Sequence, residues 1–194
     1  MRKIQLLASF FVIALLIISC KKQSVTDQVV TENDTLTVAQ KDSIALVKEA
    51  RQKERDALAK PYDDQEDAQS KINELLVQAK AEGKNVFVQA GGNWCIWCLR
   101  FNDYLQKTPE LKQIVDDNFI YYHLNYSKEN KNEAIFEKYA PEGKKMGYPF
   151  FFVLDSNDQV LNVISSVELE NTTDKSSHYD LEKTKQMFLS NVAK

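Results

Sequence analysis

The sequence has few of the residues that hold metal ions or crosslink small folds: its 194 residues include three cysteines and two histidines. A structural zinc site needs four ligands, and the pair Cys95 and Cys98 could draw only on Cys20 and on two widely separated histidines, His123 and His178. The chain also lacks an excess of basic residues, since its formal net charge is −3. We therefore expect no metal site, no scaffold held by many disulfides and no nucleic-acid partner.

The N-terminal segment is too short for a membrane-spanning helix. A basic start, Met1–Lys3, precedes the mostly apolar residues 4–18, which fall short of the roughly 18 residues that a spanning helix needs. This pattern is typical of an export signal. Its last residues, Ile17–Cys20, resemble the lipobox of bacterial lipoproteins, in which the cysteine is acylated, for example with palmitate, and becomes the mature N-terminus. The alternatives are an uncleaved membrane anchor and an ordinary signal peptide with an incidental cysteine.

Length and composition divide the chain into one domain with appendages. Residues 20–40 are polar and lack a sustained apolar period, which predicts a tether. Residues 41–62 are rich in Ala, Lys, Glu and Arg and predict a charged helical linker; a coiled-coil dimerisation helix is disfavoured because the apolar repeat is not sustained. The predicted segments are thus a signal peptide over 1–19, the tether over 20–40, the linker over 41–62 and the folded domain over 63–194.

The domain is organised around Gly91–Cys98, which follows the apolar run Val86–Val88 and opens a helix-like segment. A helix beginning at Cys95 would aim its first unpaired backbone N–H groups at the Cys95 sulfur, where the helix dipole favours a thiolate. Cys98, one helical turn later, would lie close enough to attack a mixed disulfide formed at Cys95. The spacing predicts a thiol–disulfide exchange centre, with a structural disulfide and half of a metal site as alternatives.

Hydrophobic periodicity predicts helices and strands on both sides of this centre. Asp63 or Asp64 can cap a helix that Gly83 would end. Thr108–Glu110 indicates a helix that is interrupted and restarts at Pro109. Strands are predicted over 85–90, 119–124, 150–154 and 160–164, and further helices over 130–140 and 178–193.

Three separated motifs resemble the thioredoxin family. Gly92–Cys98 is similar to its Trp-Cys-x-x-Cys signature, and His123–Asn125 is similar to the Lys-Leu-Asn segment of many thioredoxins. Tyr148–Phe150 resembles the cis-proline loop that faces the dithiol in this family. The resemblance covers about residues 64–194 and implies an α/β protein with a thioredoxin-like three-layer α/β/α fold around a mixed sheet of about four strands.

The resemblance also implies the roles of the site residues. Cys95 would be the exposed attacking thiolate, and Cys98 the buried resolving thiol. Trp94 would shield one side of the sulfurs. Pro149, if cis, would place the backbone of Tyr148 opposite Cys95, where an extended substrate segment could pair with it. No cofactor is expected beyond the redox-active disulfide itself.

Two positions depart from the family pattern and affect how protons are handled. Thioredoxins usually carry a buried aspartate six residues before the first cysteine, where this chain has Gln89, and often a lysine where it has His123. The usual acid–base pair near the resolving cysteine is therefore absent. We hypothesise that His123, or a water held by Gln89, takes over its role.

Together these patterns predict a membrane-anchored, extracytoplasmic thiol–disulfide oxidoreductase of the bacterial cell envelope. Its expected partners are disulfides or dithiols of exported proteins, a membrane electron donor or acceptor, and the membrane itself through a lipid on Cys20. The direction of electron flow stays open, as does the choice between inner and outer membrane. Two alternatives remain on the same fold: a Cu(I)-binding module, for which two thiolates suffice, and a redox-inactive interaction domain.

Overall fold

The computed structural model describes residues 37–172 and 179–194. Residues Ser43–Lys194 form one compact unit. Six helices and four strands are found in the described residues: α1 (Val38–Ala57), α2 (Ala68–Glu82), β1 (Asn85–Gly91), α3 (Ile96–Lys107), α4 (Pro109–Asn118), β2 (Phe119–Asn125), α5 (Glu133–Tyr139), β3 (Phe150–Leu154), β4 (Val160–Ser165) and α6 (Leu181–Leu189). Single 3-10 turns at Gly143–Met146 and Ser166–Leu169 flank the last two strands.

The four strands form one mixed sheet in the order β2-β1-β3-β4. Strand β1 pairs in parallel with β2, whereas β3 runs antiparallel to both β1 and β4. The two central strands are buried along their whole length, as expected for a sheet covered on both faces. The last strand of the order is a partly exposed edge.

Two hydrophobic clusters separate the sheet from the helices on its faces. One face packs against α2 and α5 through a cluster that includes Ile72, Leu75, Phe136, Val88 and Phe152. The opposite face packs against α3, α4 and α6 through Phe87, Phe101, Leu111, Phe151 and Phe188. The expected three-layer α/β/α architecture with a four-stranded mixed sheet is confirmed.

Two helix termini differ from the sequence prediction. The cap of α2 is neither Asp63 nor Asp64 but Asp67, whose carboxylate accepts hydrogen bonds from the backbone N–H groups of Gln69 and Ser70 at 3.0 and 3.2 Å. The carboxylate forms this cap because it reaches backbone N–H groups that have no partner within the first turn of the helix. These hydrogen bonds favour the charged carboxylate and lower the pKa of Asp67. Gly83 ends α2 in the left-handed region, as predicted.

Helices α5 and α6 are shorter than predicted. Helix α5 begins at Glu133 rather than at residue 130, because Asn132 has a positive φ of 47°. The last helix begins after Asp180, whose carboxylate accepts from the Lys183 N–H at 2.9 Å. The predicted start of that helix at His178 lies outside the described residues.

The compact unit extends N-terminal of the predicted domain boundary at residue 63. Helix α1 begins at Val38 rather than at residue 41 and ends at Ala57. Its Glu54 forms an ion pair with Arg100 of α3 at 2.6 Å. Within residues 37–172 and 179–194, no helix has both the length and the apolar character needed to cross a membrane. The predicted signal peptide and Cys20 lie outside the described residues.

Candidate active site

The dithiol lies where strand β1 leaves the centre of the sheet. The carbonyl of Gly91 accepts from the Tyr126 N–H at 2.6 Å, which holds the end of β1 to the segment after β2. The chain then turns so that the Cys95 N–H donates to the Gly92 carbonyl at 3.0 Å. Cys95 has extended backbone angles and is the N-cap of α3. The predicted strand, loop and helix are therefore confirmed.

Cys95 and Cys98 are joined by a disulfide, with their Cα atoms 5.3 Å apart. The backbone N–H of Cys98 points at the Cys95 sulfur at 3.2 Å. This donor is one of the groups that the first turn of a helix leaves unpaired, and it favours negative charge on the sulfur that it faces. The geometry expected for a stabilised Cys95 thiolate is thus present.

The expectation of an exposed Cys95 is wrong for the disulfide form. Cys95 is 6% exposed and Cys98 is fully buried, and both belong to a small buried cluster that also contains Tyr62. Tyr148 packs against the same cluster. The reason is that aromatic side chains from two other segments, Tyr62 and Tyr148, pack against the two cysteines.

The loop that faces the dithiol contains a cis peptide bond between Tyr148 and Pro149, as the resemblance implied. It brings the Tyr148 carbonyl oxygen to 3.6 Å from the Cys95 sulfur. The Tyr148 ring stacks on Tyr126 with ring centroids 5.4 Å apart and meets Trp94 edge-on at 5.5 Å. Trp94, Tyr148 and Pro149 therefore lie together beside Cys95.

Two tryptophans next to the cysteines in sequence, Trp94 and Trp97, are partly exposed and are called the rim below. Trp94 is 47% exposed, and its indole N–H donates to the Tyr126 carbonyl at 2.6 Å. Trp97 is 38% exposed and lies under the guanidinium group of Arg100, 5.1 Å from the ring centroid. That guanidinium is held in turn by both carboxylate oxygens of Glu54, at 2.6 and 2.7 Å. An ion pair from α1 thus fixes one side of the rim.

Gln89 lies fully buried beneath the dithiol and makes a hydrogen-bonded network. Its Nε2 donates to the carbonyl of Cys98 at 3.0 Å and to the hydroxyl of Tyr62 at 2.6 Å. Its Oε1 accepts from the hydroxyl of Tyr121 at 2.6 Å. Both hydrogens of the amide NH2 are therefore used by protein partners, and a water held by Gln89 stays a prediction.

Tyr62 is the residue of this site that sequence reasoning missed. It lies in the segment predicted to be linker, yet its backbone is clamped by the side chain of Asn93, whose Nδ2 donates to the Tyr62 carbonyl at 2.7 Å and whose Oδ1 accepts from the Tyr62 N–H at 3.2 Å. Tyr62 is 4% exposed. The available signal was that it is the single aromatic residue between residues 41 and 66.

His123 lies on the same face of the sheet, next to Gln89 in the register of β1 and β2. Its ring meets Tyr62 and Tyr121 edge-on, each with centroids 5.2 Å apart, and its buried Nε2 has no hydrogen-bond partner among the described residues. Burial lowers the pKa of His123 to about 4. The imidazole is therefore neutral and weakly basic at pH 7, and its predicted role in proton transfer stays a prediction.

A metal site is not evident in the part of the chain that the structure describes, where no three residues among His, Cys, Asp and Glu cluster closely enough to hold an ion. The two sulfurs of Cys95 and Cys98 are the soft ligands that lie together. Cu(I) binding by the reduced pair, for which two thiolates suffice, stays a prediction.

Comparisons with known proteins cover the part of the chain that carries this site. Residues 67–156 match a family model described as thioredoxin-like. Among solved structures, the chain is similar to a disulphide isomerase from Xylella fastidiosa Temecula1, with 21% identity, a TM-score of 0.58, and coverage of 69% of this chain and 98% of that one. It is also similar to the oxidised C-terminal domain of DsbD from Neisseria meningitidis, with 19% identity, a TM-score of 0.42, and coverage of 64% and 96%. No curated protein matches the sequence.

Proposed function

The chain is a thioredoxin-like protein, and from this premise we propose that it is a thiol–disulfide oxidoreductase acting through Cys95 and Cys98. The observation that carries the proposal is the position of the Cys95 sulfur, which caps helix α3 and faces the Cys98 N–H at 3.2 Å. A sulfur in this position is stabilised as a thiolate, and the thiolate is the form that attacks disulfides.

The reaction follows from the arrangement of the two sulfurs. In the reduced protein, the Cys95 thiolate attacks a substrate disulfide, forms a mixed disulfide and releases one substrate sulfur as a thiolate. Cys98 then attacks the Cys95 sulfur: the Cys95–Cys98 bond forms, the bond to the substrate breaks, and the proton lost by Cys98 ends on the departing thiol. The protein loses two electrons and the substrate gains two. The reverse sequence oxidises a substrate dithiol.

Substrate docking is proposed for the rim beside Cys95. The Tyr148 carbonyl lies 3.6 Å from the Cys95 sulfur, so an extended substrate segment at this position could pair with the backbone preceding Pro149. Trp94 and Trp97 offer exposed apolar surface, and large aromatic side chains of this kind are the usual anchors of a protein interface.

We further propose that the domain acts outside the cytoplasm, tethered to a membrane of the bacterial envelope by a lipid on Cys20. Support comes from the sequence, in which a basic start and a short apolar run end at Ser19 and Cys20. The substrates would be disulfides or dithiols of exported proteins, and a membrane partner would supply or accept electrons. Replacing Cys20 with Ser should move the protein from the membrane fraction to the soluble fraction; a variant that stays in the membrane would contradict a lipid anchor.

The activity is tested with the full chain in detergent by following the reduction of insulin with dithiothreitol as the electron source. We expect turnover that is lost in the Cys95→Ser, Cys98→Ser double variant. Stoichiometric Cu(I) binding without turnover would favour the metal-binding alternative. Unreactive thiols with a very low reduction potential would favour the redox-inactive alternative.

The reduction potential of the Cys95–Cys98 couple, measured against glutathione, gives the direction of electron flow. A value near the thioredoxin figure of about −270 mV would indicate a reductase, whereas a value near about −120 mV would indicate an oxidant.

A further inference from the structure

We propose that the hydroxyl group of Tyr62 donates a hydrogen bond to the Cys98 sulfur once the disulfide opens, and thereby holds the resolving cysteine ready to attack. This inference rests on the proposed oxidoreductase function. It gives a residue outside the matched segment 67–156 a role in favouring the Cys98 thiolate, which is separate from the proton transfer expected of His123 or of a water on Gln89.

The Tyr62 hydroxyl and the Cys98 sulfur lie on the same side of Gly91. A Cβ atom built on Gly91 would be 2.5 Å from the Cys98 sulfur and 2.9 Å from the Tyr62 hydroxyl oxygen. Both atoms therefore border the small space next to Gly91 that a larger side chain would fill. Tyr62, Cys95 and Cys98 also form one buried cluster, so a hydrogen bond between the hydroxyl and the sulfur would form away from bulk water.

The direction of the hydrogen bonds leaves the Tyr62 hydrogen available for the sulfur. The Cys98 carbonyl can only accept, so the group of Gln89 that faces it must be the NH2. The other hydrogen of that NH2 goes to the Tyr62 oxygen, which is therefore an acceptor in this pair. The Tyr62 hydroxyl keeps its own hydrogen, and His123 Nε2 does not take it because that atom has no hydrogen-bond partner among the described residues.

The backbone around Tyr62 is fixed, which makes the position of the hydroxyl reproducible. Asn93, in the loop that carries the dithiol, holds both the N–H and the carbonyl of Tyr62. Gln89 holds the hydroxyl at 2.6 Å. The same two residues thus bind Tyr62 at both ends and connect it to β1 and to the loop before α3.

The neighbouring ionisable groups keep the site free of a competing charge at neutral pH. The titratable side chains near Tyr62 and Cys98 come from the loop, from β2 and from two other segments, and they are Cys95, Tyr121, His123, Tyr148 and Tyr179. Burial raises the pKa of Tyr148 and of Tyr179, so both of these phenols are uncharged at neutral pH. His123 is neutral because burial lowers its pKa to about 4. Burial raises the pKa of Tyr62 and of Tyr121 far above the usual range, so both hydroxyl groups stay protonated and can donate.

The chemical consequence concerns the second step of the exchange. A donor at the Cys98 sulfur favours its thiolate and lowers the pKa of that thiol. A larger fraction of Cys98 is then present as thiolate while the substrate is bound to Cys95 as a mixed disulfide. The Cys95–Cys98 bond therefore forms faster, and the substrate thiol is released sooner. Tyr62 itself keeps its proton throughout; the proton of Cys98 ends on the departing thiol.

The test compares Tyr62→Phe with Tyr121→Phe in the full chain. Both variants remove one hydroxyl from Gln89, but only the first removes the group beside the sulfur. Each reduced protein is mixed with the aromatic disulfide dithionitrobenzoate, which releases one coloured thiolate on attack by Cys95 and a second on attack by Cys98. The rate of the second release is followed against pH.

We expect the second release in Tyr62→Phe to slow about tenfold at pH 7 and its pH midpoint to rise by about one unit, because the thiolate fraction of Cys98 falls. The first release should keep its rate, and Tyr121→Phe should change the second release less than about twofold. A Tyr62→Phe profile that coincides with the wild type, or an equal shift in Tyr121→Phe, would overturn the inference.

Two further measurements keep the result interpretable. Thermal unfolding of the oxidised proteins checks that each variant folds; if Tyr62→Phe does not, Asn93→Ala, which loosens the clamp on Tyr62, should raise the pH midpoint in the same direction, and an unchanged midpoint would overturn the proposal. A wild type that never gives the second release would overturn the oxidoreductase function together with this inference. If the wild type gives the second release and the Tyr62→Phe profile is the same as the wild type's, the inference about Tyr62 is wrong, but the oxidoreductase function is not affected.

Discussion

The two sulfurs of the dithiol have different kinds of surroundings. Cys95 faces groups of the protein backbone: the N–H of Cys98 at 3.2 Å and the carbonyl of Tyr148 at 3.6 Å. Cys98 is enclosed by side chains from distant parts of the chain, since Tyr62 and Gln89 lie 36 and nine positions before it. One sulfur lies at the start of a helix, and the other lies beside a buried polar network.

This difference separates activation from resolution. A helix N-terminus favours negative charge whatever the side chains of that helix are, so the reactivity of Cys95 is a property of the local backbone. Resolution depends on whether Cys98 can lose its proton in a buried place, where burial alone would disfavour the thiolate. A buried Cys98 thiolate therefore needs hydrogen-bond donors nearby. The polar network beside Cys98 is formed by Tyr62, Gln89 and Tyr121.

The largest effect should come from removing each sulfur in turn. Cys95→Ser should abolish insulin reduction, because the first attack is lost. Cys98→Ser should also abolish turnover, but it should keep the first attack and accumulate a mixed disulfide at Cys95, visible by mass spectrometry. If Cys98 in the Cys95→Ser variant formed mixed disulfides as fast as Cys95 does in the Cys98→Ser variant, the two sulfurs would not differ in reactivity.

Gly91→Ala should disturb the Cys98 side next most strongly. Its Cβ atom would lie 2.5 Å from the Cys98 sulfur and 2.9 Å from the Tyr62 oxygen, and overpacking of this kind costs up to about 3 kcal/mol. Gly83→Ala is the control, because its positive φ of 65° costs about 1 kcal/mol through the backbone alone, and its Cβ would meet nothing within 4 Å. Equal losses in urea unfolding of the two variants would argue against close packing at Gly91.

The pH dependence of stability should report the burial of His123. Its pKa is lowered to about 4 in the folded protein, so between that value and the unfolded one the unfolded state binds the extra proton and stability falls as pH falls. The expected loss between pH 8 and pH 5 is about 2 kcal/mol.

The matched variant for that measurement is His123→Phe, which keeps an aromatic ring between Tyr62 and Tyr121. Carboxylates titrate in both proteins, so the quantity to compare is the difference between the two unfolding curves at each pH. A difference that is constant from pH 8 to pH 5 would contradict a buried neutral imidazole.

The smallest effect is expected at the rim on the Cys95 side. Glu54→Gln weakens the ion pair that holds Arg100 over Trp97. Partly exposed ion pairs contribute up to about 1 kcal/mol, so we expect a loss of stability below that value. The alkylation rate of Cys95 should not change, because the reactivity of this sulfur is set by the start of the helix. A large change would show that the rim also affects the reactivity of Cys95.

The Cys95 side of the site was predictable from the sequence because its causes are local. The glycines, the cysteine spacing and the helix that follows occupy one short stretch, and the strands around it carry continuous apolar runs. The four strands follow from these apolar runs, and their predicted bounds agree with the structure within one residue. The three-layer architecture was implied by the resemblance. The cis peptide before Pro149 was implied by resemblance rather than by local pattern.

The Cys98 side was not predictable, because its causes are contacts between distant segments. Tyr62 follows a proline in a charged stretch and gives no periodic signal, while the clamp from Asn93 exists only in the folded chain. The position of Gln89 was recognised as unusual, but its partners could not be read from its neighbours in sequence. The start of α2 at Asp67 was missed because Asp63, Asp64 and Asp67 are equivalent as caps until the packing selects one.

Whether the Cys95 sulfur is an activated thiolate at the start of α3 can be measured by alkylating the reduced full chain with iodoacetamide between about pH 5 and pH 9 and following Cys95 by mass spectrometry. We expect a midpoint at least about one unit below the value near 8.5 of an ordinary cysteine. A midpoint at or above that value, or a Cys95 that is not alkylated when reduced, would contradict this expectation.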